Sequence, residues 1–359
     1  MRVFFCGDIS HSGKTGWQRY HTFKELGVDA VSFQQDFNNR IPLFKKFKTK
    51  LMGTEIFDSN VVQRFNDEFL GQLKESRPNV AWVEKALMLL PETLVLAKKV
   101  FPDCIFVCFQ ADNPFSDDRP EEKPLWRYFK QAIPLYDIHF VKRDIDIVNF
   151  TNAGAQRVEL YRAGFYPKIF NPCRKEDRKG FDKEFDVTLV ATNLERKRAQ
   201  FISCLMLKYG IPVHVFGSRW ERSLIYYWKR RGFNPAVFSQ DYVQKIYQSK
   251  VCLGLVSHSN KDEYSDRTFE IPACKGFLLA ERTPIHLQLF EEGREAEFFD
   301  SPEECADKVN YYLRNETERL KIAEAGYQRC IRDDYSMSRR LLDAMAIIER
   351  LRESGTVNL

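Results

Sequence analysis

Short apolar runs alternate with amphipathic stretches along the first half of the chain. Five runs have the length and composition of buried strands: 3–6, 28–33, 80–83, 105–109 and 138–141. Helical spacing or helix-start signals mark the segments between them: 17–26, 59–76, 91–100, a stretch from about 126, and 145–152. Strands that alternate with helices predict βαβ units and a parallel sheet.

The alternation restarts after a segment rich in proline and charge. Strands are predicted at 187–191, 213–216, 251–256 and 277–280, with helices at 199–209, 241–248, 268–274 and through 302–351. A chain of 359 residues is too long for one ordinary hydrophobic core. We therefore predict an α/β protein with two Rossmann-like parallel-sheet domains facing a central cleft. The predicted bounds are 1–166, a linker at 167–184, 185–336, and a C-terminal helix at 337–359.

Composition narrows the class of protein. Apolar residues make up 44% and charged residues 29%, as in a folded globular protein. The net charge of +5 is mild and not concentrated in a tail, so nucleic acid is not an expected partner. Nine scattered cysteines without a C-x-x-C pair indicate reduced thiols. With no apolar run long enough to span a membrane, we expect a cytoplasmic protein, at most peripheral at the inner face of the membrane.

Two basic clusters change this picture locally. One contains Lys45, Lys46, Lys48 and Lys50. The other contains Arg219, Arg222, Lys229, Arg230 and Arg231, interleaved with Trp220, Tyr226, Tyr227 and Trp228. A basic and aromatic segment fits an anionic membrane surface or an acidic acceptor. It also fits a solvated face whose long side chains cover apolar surface, and the sequence leaves these alternatives open.

Two short motifs suggest chemistry that their context does not favour. The loop 7–15 resembles a P-loop, but five residues separate its glycines, and Asp8 stands in the register of the first one. A P-loop-like phosphotransferase is therefore a lesser alternative. Asp144 and Asp146 form a D-x-D pair that could hold a metal on a diphosphate. Because they open a predicted helix, we interpret them as helix-start residues and predict no metal site.

The segment 257–281 contains the strongest candidate for a binding site. It is predicted as strand end, polar loop, short helix and strand. Pro272 prevents the helix from beginning much before Thr268, so its first-turn amides are expected to point into the cleft as an anion site. Arg267 can fork onto a diphosphate, and Glu270 can accept hydrogen bonds from ribose hydroxyls. The alternative is that Arg267 and Glu270 only pair on a surface helix.

The same segment resembles a known family. The pattern R-x-F-E-x-P-A-C-x-G-F-L-L from Arg267, followed by 289–295, resembles the C-terminal glycosyltransferase group 1 domain of the CgeB-like spore-maturation family. Five further segments resemble other elements of that family: 311–313 (YYL), 322–326 (IAEAG), 112–115, 136–138 and the run from Gly154 to Pro167. The resemblance implies a GT-B fold, with a donor nucleotide on the C-terminal domain, the acceptor on the N-terminal domain, and a last helix that packs back on the N-terminal domain.

The resemblance also implies roles for further residues. Gly217 and Arg219 would lie in a loop near the donor, and Arg196 or Arg198 would join Arg267 on the diphosphate. Two departures stand out: Lys275 replaces the usual small residue before Gly276, and Asp262 stands where retaining relatives have Glu. The latter leaves the stereochemistry of transfer open.

Candidates for a catalytic base follow the first and fourth strands of the N-terminal half. They are Asp112, which is the first choice because it follows a buried strand, and Asp8 and His11. We thus expect a metal-independent glycosyltransferase that needs no cofactor besides its nucleotide-sugar substrate. Its acceptor would be a glycan, a lipid-linked sugar or a protein. A non-catalytic nucleotide- or sugar-binding protein is the main alternative.

Overall fold

The computed structural model describes residues 1–35, 57–118, 120–172 and 184–354, without the side chains of 120–122. The chain divides into two compact units. Unit 1 comprises Met1–Arg162 with Arg340–Leu359, and unit 2 comprises Ala163–Arg339. The lysine cluster at 45–50 and most of the predicted linker lie outside the described residues.

Unit 1 contains a six-stranded parallel sheet in the order β2-β1-β3-β4-β5-β6. The strands are β1 Arg2–Gly7, β2 Asp29–Gln34, β3 Val80–Glu84, β4 Ile105–Gln110, β5 Ile138–Val141 and β6 Val158–Leu160. The helices are α1 Thr15–Glu25, α2 Ser59–Ser76, α3 Pro91–Val100, α4 Arg127–Ala132 and α5 Asp144–Asn152.

The sheet of unit 1 is covered on both faces, which explains why β3 and β4 are buried at every position. One face packs against α2, α3 and α4 through residues such as Phe69, Leu94 and Phe129. The other face packs against α1 and the C-terminal helix, which contributes Leu341 and Ile348.

Unit 2 contains a second six-stranded parallel sheet in the order β12-β11-β10-β7-β8-β9. Its strands are β7 Phe185–Val190, β8 Val213–Phe216, β9 Phe233–Asn234, β10 Ser249–Gly254, β11 Leu278–Glu281 and β12 Glu297–Phe299. Its helices are α6 Arg196–Ser203, α7 Leu224–Trp228, α8 Ser239–Gln248, α9 Arg267–Ala273, α10 Pro284–Leu289, α11 Pro302–Arg314 and α12 Glu316–Arg332. The last helix, α13 Met337–Glu353, starts in unit 2 and continues into unit 1.

The predicted fold class is confirmed, since both halves are α/β and each has a parallel sheet covered by helices. The sequence prediction missed β6, β9 and β12 and the short helices α7 and α10. It also placed one helix at 199–209, whereas α6 begins at Arg196 and is followed by a π-helical turn, Cys204–Lys208. No helix in the described ranges combines the length and apolar character needed to cross a membrane.

Candidate functional site

The candidate donor site lies in unit 2, where three neighbouring strands end. Strands β7, β10 and β11 are adjacent and parallel, so the loops that follow them share one edge of the sheet. A cavity of about 360 Å³ opens there. Its lining includes Lys197, Arg198, His258, Glu281, Arg282 and Asp300.

Arg198 and Arg267 converge on the loop after β10. The Arg198 guanidinium donates to the carbonyl oxygens of Thr192 (2.5 Å) and Val256 (3.1 Å), and Arg267 donates to that of Leu255 (3.3 Å). Two arginines from separate helices are therefore anchored on consecutive carbonyl groups. This is the pair that the sequence analysis proposed for a diphosphate, with Arg198 rather than Arg196 as the partner.

The two guanidinium groups lie close enough for their positive charges to repel each other. Burial, and then the charge of Arg267, lower the pKa of Arg198 to about 10. The charges of Glu195, Glu281 and Asp262 act to raise this pKa. The Nε atoms of both arginines are buried and have no hydrogen-bond partner among the described residues. Like charges with unsatisfied donors are the arrangement that an anion would stabilise.

Three polar residues at this edge were missed by the sequence analysis. Glu195 accepts hydrogen bonds from the hydroxyls of Ser257 (2.5 Å) and Ser259 (3.0 Å) and from the amide of His258 (3.1 Å). Burial acts to raise the pKa of Glu195, but those hydroxyls and Arg198 hold it below its ordinary value. Glu281 lies 2.8 Å from His258 Nε2, and that hydrogen bond raises the pKa of His258. Glu195, His258 and Glu281 all lie at or shortly after the end of a strand, and this position was the feature of the sequence that could have identified them.

Glu270 lies on α9 and is almost fully buried, at 9% exposure. Burial, and then the charge of Asp266, raise the pKa of Glu270 to about 8, while Arg267 and Tyr242 oppose the shift. Arg267 and Glu270 are therefore not an exposed surface pair.

The predicted anion site at the start of α9 is not confirmed. The amides of Thr268, Phe269 and Glu270 already donate to the carbonyl oxygens of Ser265 and Asp266, at 3.0 Å in each case. Thr268 is buried, and its hydroxyl lies 2.8 Å from His286 Nε2 and accepts from the Ser265 amide. Because the chain makes a tight turn before α9, these three amides and the Thr268 side chain serve the fold.

Gly217 and Arg219 follow β8, where the structure gives them local roles. A Cβ on Gly217 would lie 2.0 Å from the carbonyl oxygen of Ala191, so the close approach that needs glycine is between two loops of this chain. Arg219 is exposed and has a left-handed backbone with φ of 65°.

The other predicted donor-site residues differ in exposure and partners. Arg196 is exposed, and Asp262 is half-buried with its charge acting on Arg198. Lys275, which replaces the usual small residue before Gly276, extends to α12, where its ammonium group lies 2.7 Å from Glu324 and over the ring of Tyr327.

Unit 1 has its own cavity, of about 320 Å³, at the ends of β1, β3 and β4. Asp8 and Asp112 both line it, and each forms an ion pair, Asp8 with Lys14 (3.0 Å) and Asp112 with Lys85 (2.5 Å). Lys85 also has a strained left-handed backbone, with φ of 46°.

Glu84 lines the unit 1 cavity as well and is paired with the buried Arg19. The structure therefore brings two of the three predicted base candidates together, and adds two residues, Glu84 and Lys85, that the sequence analysis missed.

His11 lies in the loop before α1, outside the described lining of that cavity. Its ring Nδ1 accepts from the Gly13 amide (3.1 Å), and its carbonyl oxygen accepts from the Lys14 amide (3.0 Å). Amides that a P-loop would turn toward a phosphate are thus used within the loop, and the Lys14 ammonium is taken by Asp8. These contacts weigh against the P-loop interpretation.

The D-x-D pair opens α5, as expected for helix-start residues. Asp146 is fully buried and pairs with Arg143 at 2.7 Å, so its carboxylate neutralises an internal cation. Across the described part of the chain, no group of three or more His, Cys, Asp and Glu side chains is arranged to hold a metal ion.

Comparison with known proteins agrees with this architecture. Residues 196–346 match the model of a family described as glycosyl transferase-like. No curated protein matches the chain at a significant level.

Solved structures of similar fold cover nearly the whole chain. Sucrose-phosphate synthase from Thermosynechococcus elongatus has a TM-score of 0.69 at 13% identity, covering 99% of this chain and 100% of that one. HepE from Anabaena, solved with UDP, has a TM-score of 0.64 at 12% identity, covering 98% and 100%. A trehalose 6-phosphate synthase from Burkholderia multivorans has 0.63 at 13% identity, covering 99% of each chain. The chain therefore has the GT-B fold of glycosyltransferases, and its residues 196–346 match a glycosyl transferase-like family.

Proposed function

We propose that the protein is a glycosyltransferase that moves a sugar from a nucleoside-diphosphate donor to an acceptor hydroxyl. The observation that carries the proposal is the pair Arg198 and Arg267, anchored side by side at the strand ends of unit 2. Both residues lie within the segment that matches the glycosyl transferase-like family. The motif from Arg267 to Leu279 is the ground for assigning the protein to the CgeB-like group.

The diphosphate accounts for the electrostatics of this pair. A bound diphosphate would offset the repulsion between the guanidinium groups. The same charges would stabilise the leaving diphosphate during transfer. Because two guanidinium groups supply the positive charge, we propose that the reaction needs no divalent metal.

Glu270 is the proposed partner of the donor ribose. It follows Arg267 by one turn of α9, so the two side chains can address neighbouring parts of one nucleotide. The solved HepE complexes contain UDP and UDP-glucose, which makes these the first ligands to test here.

The acceptor is proposed to bind in unit 1, with Asp112 as the base that takes the hydroxyl proton. Asp112 and Asp8 share one cavity. Asp8 is the weaker candidate because hydrogen bonds from Ser10 and Lys14 outweigh the effect of burial and lower its pKa. We propose a glycan, a lipid-linked sugar or a protein as the source of the hydroxyl.

Calorimetric titration tests the donor site. The full chain is first screened by thermal shift against nucleoside diphosphates and their sugars, since ligand at ~100 times its Kd adds about 2.7 kcal/mol of stability. Charge-assisted hydrogen bonds contribute roughly 1.5–3 kcal/mol, so Arg198→Ala and Arg267→Ala should each weaken binding of the selected diphosphate about 10- to 100-fold.

Arg196→Ala is the matched control, because Arg196 is exposed on the first turn of the same helix as Arg198. It should bind within about twofold of wild type, by the small contribution of exposed charges. Arg198→Lys and Arg267→Lys keep the positive charge, so they replace the alanine variants in the titration if those do not fold. The donor site would be wrong if all variants bound alike, or if Arg196 alone mattered.

Turnover separates the transferase from a protein that only binds nucleotide sugars. A transferase should release the nucleoside diphosphate from its donor, slowly to water and faster with an acceptor. Release should persist in excess EDTA. Binding without any release would favour the non-catalytic alternative, and a collapse in EDTA that Mn²⁺ restores would contradict metal independence.

A further inference from the structure

One surface of unit 2 exposes large apolar side chains among cations. Helix α7 leaves Leu224, Tyr227 and Trp228 exposed at 70%, 64% and 66%, so most of their apolar surface contacts solvent. We define the basic–aromatic patch as residues 219–232, which contain five cations and one acid, Glu221. Exposed apolar surface of this kind is a common mark of an interaction site.

The cations of the patch are available to a partner. Arg222, Lys229 and Arg231 are exposed, and none of them forms an ion pair with a residue in the described ranges. Arg230 is anchored differently, since it donates to the Phe233 carbonyl (3.0 Å) and lies over the ring of Tyr226. Within the described part of the chain, the patch therefore presents three exposed cations without an ion pair beside three apolar side chains.

An apolar groove of about 540 Å³ adjoins these side chains. Its lining includes Met206, Ile211, Pro212, Tyr227 and Trp228, together with the cations Lys229, Arg230 and Arg231. Aliphatic walls next to cations fit a molecule that is both apolar and anionic.

We propose that the basic–aromatic patch docks on an anionic lipid bilayer. Trp and Tyr partition to the interface between headgroups and acyl chains, Leu224 enters the apolar layer, and the cations meet the lipid phosphates. A nucleic acid would use the cations and the aromatic rings, but it offers no partner for Leu224 or for the aliphatic walls of the groove. This inference does not depend on the proposed reaction.

Vesicle cosedimentation with the full chain tests the proposal. The protein is expected to sediment with phosphatidylcholine vesicles that contain about one third phosphatidylglycerol, and far less with phosphatidylcholine alone. Binding should weaken as salt increases. Each cation near an anionic surface contributes about fivefold, so Arg222→Ala/Lys229→Ala/Arg231→Ala should lower the partition coefficient roughly 100-fold.

The contribution of the apolar side chains of the patch is tested with Leu224→Ser/Trp228→Ser. This double variant should reduce vesicle binding at least about tenfold, because two membrane-contacting side chains are lost. A matched control is Leu320→Ser/Lys321→Ala on α12, which changes an exposed leucine beside an exposed lysine elsewhere in unit 2 and should have no effect. All variants change exposed residues outside the proposed donor site, so thermal stability and diphosphate binding should be retained.

Three results would overturn the proposal. The first is equal binding to neutral and anionic vesicles, or none to either. The second is patch-dependent binding of a single-stranded oligonucleotide, measured by fluorescence anisotropy, without vesicle binding. The third is a wild-type dimer in sedimentation velocity that the Leu224→Ser/Trp228→Ser variant converts to monomer, since the patch would then be covered by a second copy.

Discussion

The titration of Glu270 links the candidate site to stability. Burial and Asp266 raise its pKa from 4.5 to about 8, with Arg267 and Tyr242 opposing the shift, and the Cys274 thiol is also close enough to feel its charge. Between these two pH values the folded chain binds more protons at this position than the unfolded chain. The contribution of Glu270 to stability is therefore greatest below pH 4.5 and falls as the pH rises toward 8.

Comparing wild type with Glu270→Gln should isolate this dependence. Glutamine keeps the shape but does not ionise, so the free energy of unfolding of wild type relative to the variant should fall as the pH rises from about 5 to 8. The slope should not exceed about 1.4 kcal/mol per pH unit. Urea titrations of the ligand-free proteins measure it. A constant difference would show that Glu270 is ionised throughout this range.

Asp112 is the residue on which the proposed base chemistry depends. Asp112→Asn cannot accept a proton, so kcat should fall about 10²- to 10⁴-fold while the Kd for the donor diphosphate stays within about twofold. Asp8→Asn and His11→Ala are the comparison variants and should cost far less. Unchanged turnover of Asp112→Asn would exclude Asp112 as the base.

The sequence placed Arg267 and Asp112 as candidate residues because of their positions relative to the strands of their own sheets. Arg267 and Asp112 follow buried strands, and such residues gather at one edge of a parallel sheet. The contact of Thr268 with His286 was not predictable, because it joins residues 18 positions apart that no local pattern connects. Glu195 and Glu281 also lie at or after the end of a strand, so the same reasoning could have identified them as candidate site residues.

At the scale of elements, prediction succeeded where the local sequence pattern is clear. The predicted bounds of β5, β8, α2 and α3 agree with the structure, because short runs rich in β-branched and aromatic residues mark the two strands and a proline lies at or near one end of each helix. The missed strands β6, β9 and β12 have only three, two and three residues, and half-buried positions dominate β6. Such short strands form because an adjacent strand of the sheet pairs with them, and their own sequence pattern is too short to predict them.

Helix α9 illustrates a second limit of local prediction. Pro272 correctly indicated a short helix, but the amides of its first turn were expected to be free. Asp266 has a helical backbone, so the turn before α9 already supplies acceptors for those amides. Whether a helix start is available to a ligand depends on the conformation of the preceding loop, which the sequence does not specify.

At the scale of the whole molecule, the chain returns to unit 1 after completing unit 2. Helix α13 crosses the boundary between the two units at Arg340, and its later residues pack on the sheet face that contains Val3, Phe5 and Trp82. The core of unit 1 thus includes residues more than about 330 positions after its first strand. Unit 1 is therefore not complete until the last helix has been added.

Two adjacent leucines test this dependence. Leu341 is fully buried in unit 1, whereas Leu342 is 46% exposed on the same turn of α13. Removing a buried leucine side chain costs about 2–5 kcal/mol, so Leu341→Ala should lower the free energy of unfolding by that amount. Leu342→Ala has the same helix propensity change and should stay within about 0.5 kcal/mol of wild type. Urea titration followed by hydrogen exchange should show the loss in β1 and β3. Equal effects of the two substitutions would mean that α13 does not complete the core of unit 1 in solution.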